Sequence, residues 1–297
     1  MTDPTGSLQL DGPLVDPEWL EAHLDDPSVR VIESTVVLDP TSWHANSGRA
    51  GFDEAHIPGS DFVDLIEELS DPSGDVGLPP GVRAYKLPAA EQFARAMTAH
   101  GVGPDTTVVA YDRAGGMWAA RLWWMLRVFG HDRVAVLDGG WARWTAEGRA
   151  TSSEPPAVKP SPEPFVARLR PELLATVDEV AEAIDSSDVV LVNALWKESF
   201  TGEVSALDRP GRIPGSVNVP FSDTLDEQGN LRSPEEVRKV FADAGVDGDR
   251  KVITYCGGGI AASLDALALA TIGVDAAVYD GSLVEWVADP DRPLEVG

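Results

Sequence analysis

Short runs dominated by apolar residues punctuate this chain at 29–33, 106–111, 133–137, 189–193 and 252–255. Runs of that length and composition predict buried strands. Between them lie segments with helical signals. Asp16-Pro17-Glu18 reads as an N-cap, a first-turn proline and an acidic first turn, opening a helix through Leu20 to Leu24. An amphipathic helix is expected from Pro88 to about His100, and an apolar one over 117–129. Thr176 and Ser233 are each followed three residues later by a glutamate, the capping-box pattern. The run 260–270 holds strong helix formers and almost no charge. Strands alternating with helices predict an α/β fold, mostly parallel sheet with helices on both faces. Ligands then belong outside the carboxyl ends of the strands.

The pattern occurs twice. His56-Ile57-Pro58-Gly59-Ser60 returns as Arg212-Ile213-Pro214-Gly215-Ser216, 156 residues on. The strand ending before Asp112 returns before Cys256, 144 residues on. Asp138-Gly139-Gly140 with Trp144 returns as Asp280-Gly281-Ser282 with Trp286, 142 residues on. One α/β unit has therefore been duplicated, with small length changes in loops. The expected domains are 1–150 and 166–297, joined by a proline-rich linker at 151–165. Trp118, Trp123 and Trp124, on one helix, are expected to pack the core and the contact between the copies.

Composition narrows the classes. The 297 residues, 43% hydrophobic, suffice for two ordinary domains. A net charge of −26 argues against nucleic acid and anionic membranes as partners. It also repels any small anionic substrate, so main-chain N–H groups and a few arginines must reverse the field locally. The single cysteine, Cys256, excludes an internal disulfide and a Cys-rich zinc site and suits a reducing compartment. The first residues show neither a basic start nor an apolar core, and no run approaches the ~18 apolar residues of a membrane span. A cytoplasmic protein is expected.

Candidate chemistry centres on Cys256. It stands where a strand ends, followed by Gly257, Gly258 and Gly259 and then by a helix. This order puts a sulfur over backbone N–H groups at a helix N-terminus, a place that favours negative charge. A lowered thiol pKa and a retained thiolate are expected. The bland alternative is a buried cysteine beside a tight turn. Other cysteine or glycine-loop chemistries fit poorly. A thiol phosphatase needs arginine where Ala262 stands, and a dithiol oxidoreductase needs a second cysteine. The glycines lack the Lys-Ser/Thr of a P-loop and the spacing of a dinucleotide turn.

The two IPGS turns, the two Asp-Gly segments with tryptophan, the long insertion at 38–59 and the Cys256 loop together resemble the tandem-domain rhodanese family of sulfurtransferases. The resemblance covers nearly the whole chain. It implies a catalytic second domain and a non-catalytic first one, in which Asp112 takes the cysteine's place. It also implies a double displacement: Cys256 takes sulfur from a small donor as a persulfide, then passes it to cyanide or a thiol, including a reduced protein thiol. No metal or organic cofactor is implied.

The loop Cys256-Gly257-Gly258-Gly259-Ile260-Ala261 carries no charged side chain, which in this family is more similar to 3-mercaptopyruvate enzymes than to thiosulfate enzymes. It departs from them in having Gly258 for Ser or Thr, and Ile260-Ala261 for Val-Thr. Ser199 stands where the family places a carboxylate-clamping arginine. Arg209 and Arg212 are nearby substitutes, or else surface arginines of an acidic chain. His56 keeps the family histidine, either near substrate or as a turn residue bonded to backbone. The substrate-binding set expected is thus Gly257 to Ala261 with Arg209, Arg212 and His56. The competing readings are a thiosulfate sulfurtransferase, a persulfide carrier with little turnover on free donors, and a pseudoenzyme.

Overall fold

The computed structural model describes residues 8–39, 44–75, 78 and 83–297. Residues 1–7, 40–43, 76–77 and 79–82 lie outside the described residues.

In the first half, the apolar runs form β1 (Leu14–Val15), β2 (Val29–Glu33), β5 (Asp61–Phe62), β6 (Thr107–Tyr111) and β7 (Val134–Leu137). They pair in the order β1-β7-β6-β2-β5, every ladder parallel. The insertion folds into an antiparallel hairpin of β3 (Val36–Leu38) and β4 (Ala45–Ser47), followed by helix α2 (Arg49–Glu54). The remaining helices are α1 (Pro17–His23), α3 (Ala90–Ala99), α4 (Met117–Val128) and α5 (Gly140–Ala146). Asp16 caps α1 through the Trp19 N–H, as its side-chain chemistry dictates.

The second half repeats the plan. Its strands are β8 (Leu174–Ala175), β9 (Val189–Asn193), β10 (Val217–Asn218), β11 (Lys251–Tyr255) and β12 (Ala276–Tyr279). The order β10-β9-β11-β12-β8, all parallel, matches the first sheet strand for strand. The helices are α6 (Val177–Ala183), α7 (Lys197–Phe200), α8 (Pro234–Asp243), α9 (Ile260–Thr271) and α10 (Ser282–Ala288). Both expected capping boxes are present, at Thr176 with Glu179 and at Ser233 with Glu236.

Helix α4 packs against α9, joining the two halves. Ten of the twelve residues of α9 are buried, which explains its lack of charge: one side faces its own sheet and the other faces α4. Trp118, Trp123 and Trp124 lie in a core cluster that also takes in Leu264 and Leu267, so one apolar core runs through both halves. That packing brings the carboxyl ends of β6 and β11, and the loops that follow them, toward the same interface.

Candidate active site

Cys256 follows the last residue of β11, and three hydrogen bonds to the start of α10 fix it and Gly257. Its N–H donates to Ser282 Oγ at 3.1 Å, and its carbonyl accepts from the Leu283 N–H at 3.1 Å. The Gly257 carbonyl accepts from the Val284 N–H at 2.9 Å. Ser282 holds φ +48°, the left-handed region that a residue with a Cβ seldom adopts, and its hydroxyl also donates to the Tyr279 carbonyl at 2.8 Å. Strain of this kind persists where surrounding structure enforces it. Gly140, the matching residue of the first copy, shares the angle, at φ +50°.

Gly259 ends the loop as the N-cap of α9, at φ +80°. A Cβ there would stand 2.8 Å from the Asp280 carbonyl oxygen, so glycine is required by both angle and space. A Cβ on Gly258 would come within 3.2 Å of the Ala84 carbonyl oxygen. A strap of the first half, 83–87, is thus laid directly on the cysteine loop. The Leu87 N–H donates to Asp280 Oδ2 at 2.7 Å, and the Tyr85 carbonyl accepts from Arg121.

The first copy shows what such a loop holds. Asp112 accepts four main-chain N–H groups, those of Ala114 (2.7 Å), Gly116 (2.9 Å), Trp118 (2.8 Å) and Ala119 (2.9 Å). Burial raises its carboxyl pKa above the usual carboxylate value, and the four donors limit that rise. A ring of amides at the start of α4 therefore binds a built-in anion. Helix α9 begins in the same way beyond Cys256, with the unpartnered first-turn N–H groups that every helix has.

Cys256 forms part of the wall of an open cavity of about 1160 Å³, counting solvent at its mouth. Gly257, Gly258, Ile260 and Ala261 line it as well. Tyr85, Met117 and Trp118 enter from the first half, and Trp196, Phe221 and Leu283 from the second. Its only charged lining side chains, among the described residues, are Arg83 and Arg209. In an acidic chain this is a locally positive, mostly apolar chamber in front of a thiol.

The expected site residues divide. Cys256, Gly257, Gly258, Ile260, Ala261 and Arg209 share the cavity; Gly259, Arg212 and His56 do not line it. The Arg209 guanidinium is held by the carbonyls of Asp289 (2.8 Å) and Arg292 (2.6 Å) and has no carboxylate partner among the described residues. Arg212 anchors the end of the chain instead. It pairs with Glu295 at 3.3 Å, bonds the Gly297 carbonyl at 2.9 Å and stacks over Phe200 at 4.4 Å. His56 is 2% exposed, stacked on Phe52, with Nδ1 bonded to the Phe52 carbonyl at 2.8 Å. Both sit at the IPGS turns as structural residues. Ser199, at the place of the family arginine, does line the cavity.

Three residues escaped the reading of the sequence: Arg83, Ser282 and Arg121. Arg83 bonds Asp75 through Nη1 at 2.9 Å, while its Nε is buried with no partner among the described residues. It stands in a proline- and glycine-rich loop with no periodicity to mark it. Ser282 had a signal, since it replaces the glycine of the first copy.

Comparison with known proteins supplies the family. A model of the rhodanese-like domain matches residues 16–147 and again 176–289. This chain belongs to the rhodanese-like family. It is 37% identical to human 3-mercaptopyruvate sulfurtransferase over 303 residues, covering 98% of each chain. It is equally 37% identical to rat thiosulfate sulfurtransferase over 301 residues, covering 96% of this chain and 95% of that one. The crystal structure of SseA from Escherichia coli, a rhodanese-fold enzyme of the 3-mercaptopyruvate class, superposes with TM-score 0.79 at 33% identity, covering 91% of this chain and 98% of that one. With such relatives over nearly its full length, this chain is a sulfurtransferase with two tandem rhodanese-like domains. No helix among its described residues is long and apolar enough to cross a membrane.

Proposed function

We propose that this chain takes sulfur from 3-mercaptopyruvate onto Cys256 and passes it to a thiol or cyanide. The observation that carries the reading is the cavity: a cysteine at its wall, apolar sides, and two arginines as its only charged lining residues, among those described. A donor with one carboxylate and a short carbon body suits those walls. Thiosulfate, a compact dianion, would call for more charge and less apolar surface.

In the first step the Cys256 thiolate attacks the donor sulfur. The S–S bond forms as the donor's C–S bond breaks, and the electron pair leaves as the enolate of pyruvate. The proton of the donor thiol passes through solvent to that enolate, so the enzyme keeps a persulfide anion. In the second step an acceptor thiolate attacks the outer sulfur and restores the Cys256 thiolate. Each state of the enzyme carries one negative charge at the loop. Main-chain N–H groups of the loop and of the first turn of α9 are the groups proposed to stabilise it. Arg83 and Arg209, the charged residues of the cavity lining, are the groups proposed to face the donor carboxylate, in place of the arginine that Ser199 replaces. A lone free thiol that must stay reduced suits the cytoplasm.

The thiosulfate reading is supported by the equal identity to relatives of both names. Steady-state assays with each donor, and Cys256→Ser as control, separate the two. Turnover of 3-mercaptopyruvate at about 1 s⁻¹ or faster, above that of thiosulfate, is expected. Faster thiosulfate turnover would reverse the donor, and no turnover on either would leave a carrier.

A further inference from the structure

The two copies face each other across α4 and α9, and their matching contacts can be compared one by one. Asp138 and Asp280 each accept a main-chain N–H from the other domain: Leu231 to Asp138 Oδ1 at 3.0 Å, and Leu87 to Asp280 Oδ2 at 2.7 Å. Gly116 and Gly259 are the matching N-caps of α4 and α9. Five residues beyond each cap stand Arg121 and Leu264. Leu264 Cδ1 approaches the first-domain loop, 4.0 Å from where a Cβ on Gly116 would stand. Arg121 Nη1 approaches the cysteine loop, 3.0 Å from where a Cβ on Gly259 would stand.

At this point the symmetry breaks. A cation lies under the loop that carries the cysteine, and a leucine lies under the loop that carries the permanent carboxylate of Asp112. Arg121 is 1% exposed, and its Nη1 has no hydrogen-bond partner among the described residues. Its Nη2 donates to Asp280 Oδ1 at 2.6 Å and to the Tyr85 carbonyl, and its guanidinium stacks over Trp124 at 4.5 Å. Asp138 has no such cross-domain cation among the described residues and takes Arg143 of its own domain at 2.6 Å. A guanidinium stays charged wherever it is placed, and burying one costs free energy unless its charge is used. An interface alone would be served by leucine, as the other half of the same interface is.

We infer that Arg121 of the first domain is a positioning residue for the reaction of the second: it sits behind the Gly259 turn and holds the negative charge that Cys256 carries as thiolate and as persulfide. Sulfur accepts hydrogen bonds weakly compared with a carboxylate oxygen. The cysteine loop therefore gains more from a buried point charge than the Asp112 loop does. Asp280 orients the guanidinium and offsets part of its field. The other charged or titratable groups around the loop are Arg83 with its partner Asp75, Arg209, Tyr85 and Glu285. This assignment rests on Cys256 being the sulfur-bearing nucleophile.

The test is the pH profile of iodoacetamide alkylation of Cys256, which needs no donor. Arg121→Gln is expected to raise the half-maximal pH by about 0.5 unit, roughly a threefold loss of reactive anion below the midpoint. Asp280→Asn keeps an acceptor for the Leu87 N–H but removes the opposing charge, so the profile is expected to move the other way. Arg121→Lys should stay close to the parent. Arg127→Gln, which breaks the cross-domain pair with Asp275 (3.0 Å), should leave the profile unmoved. A role confined to joining the domains would move Arg121→Gln and Asp280→Asn in the same direction or not at all, and either result overturns the inference. If Arg121→Gln does not fold, the direction of the Asp280→Asn shift decides. A parent protein that is alkylated normally but never takes sulfur would sink the proposed function and leave this inference standing.

Discussion

Asp112 and Cys256 occupy the same junction in the two copies, each one residue beyond its central strand, and the carboxylate of Asp112 is clasped by four main-chain N–H groups of its loop at 2.7 to 2.9 Å. One loop holds its anion permanently; in the proposed reaction the other carries its anion on Cys256. The first domain is thus a closed version of the second, with its site filled by its own side chain.

Replacing that side chain should expose the cost of an empty amide ring. Asp112→Ala leaves buried N–H donors without an acceptor, each worth about 1–3 kcal/mol. A loss of about 3 kcal/mol or more in urea unfolding is expected, with Asp112→Asn losing less because one amide oxygen remains. A loss below about 1 kcal/mol for the alanine variant would show that the ring does not depend on its anion.

Arg83 should act on donor binding more than on chemistry. Arg83→Gln removes a charge-assisted contact to the donor carboxylate, and about 1.4 kcal/mol corresponds to a tenfold change in affinity. The expected outcome is a KM for 3-mercaptopyruvate about tenfold higher, with kcat changed much less. An unchanged KM would remove Arg83 from the donor site and leave Arg209 as the remaining candidate.

His100 gives the stability a pH signature. It lies between Asp61 (2.6 Å) and Glu68 (2.9 Å). Burial pulls the imidazole down, but bonding and attraction to the two carboxylates outweigh it and push it up to about 9. The protonated ring thus binds its proton more tightly in the folded chain than in the unfolded one. That contribution is fully present below the ordinary histidine range, at about 6.5, and is lost as pH rises through about 9. The difference in unfolding free energy between parent and His100→Gln should be largest near pH 6 and shrink toward pH 9. A difference that is flat with pH would mean that the ring is held neutral.

Much of the fold was legible before any coordinates. The capping boxes at Thr176 and Ser233, the Asp16 cap and the five buried runs all read correctly, because local chemistry sets them. Helix α3 begins at Ala90 rather than Pro88. The Leu87 N–H is tied to Asp280 across the interface, and the chain stays extended through Ala89. The two-residue strands β5 and β10 carry no periodic signal and exist only because a neighbouring strand offers its edge. The site divides along the same line. Cys256 and its glycines announce themselves by order along the chain. Arg83 and Arg121 do not, since each meets the cysteine loop only after two domains more than a hundred residues apart have closed on one another. Arg212 and His56 stood out in the sequence through their family turns, and those turns use them to bind carbonyls and pack on aromatic rings.

The most direct test of a sulfur held at Cys256 is mass spectrometry of the protein after exposure to 3-mercaptopyruvate with no acceptor present. One added sulfur atom is expected on the peptide containing Cys256, removed by cyanide and absent from Cys256→Ser. No added sulfur on the parent protein, or the same addition in the serine variant, would contradict the account.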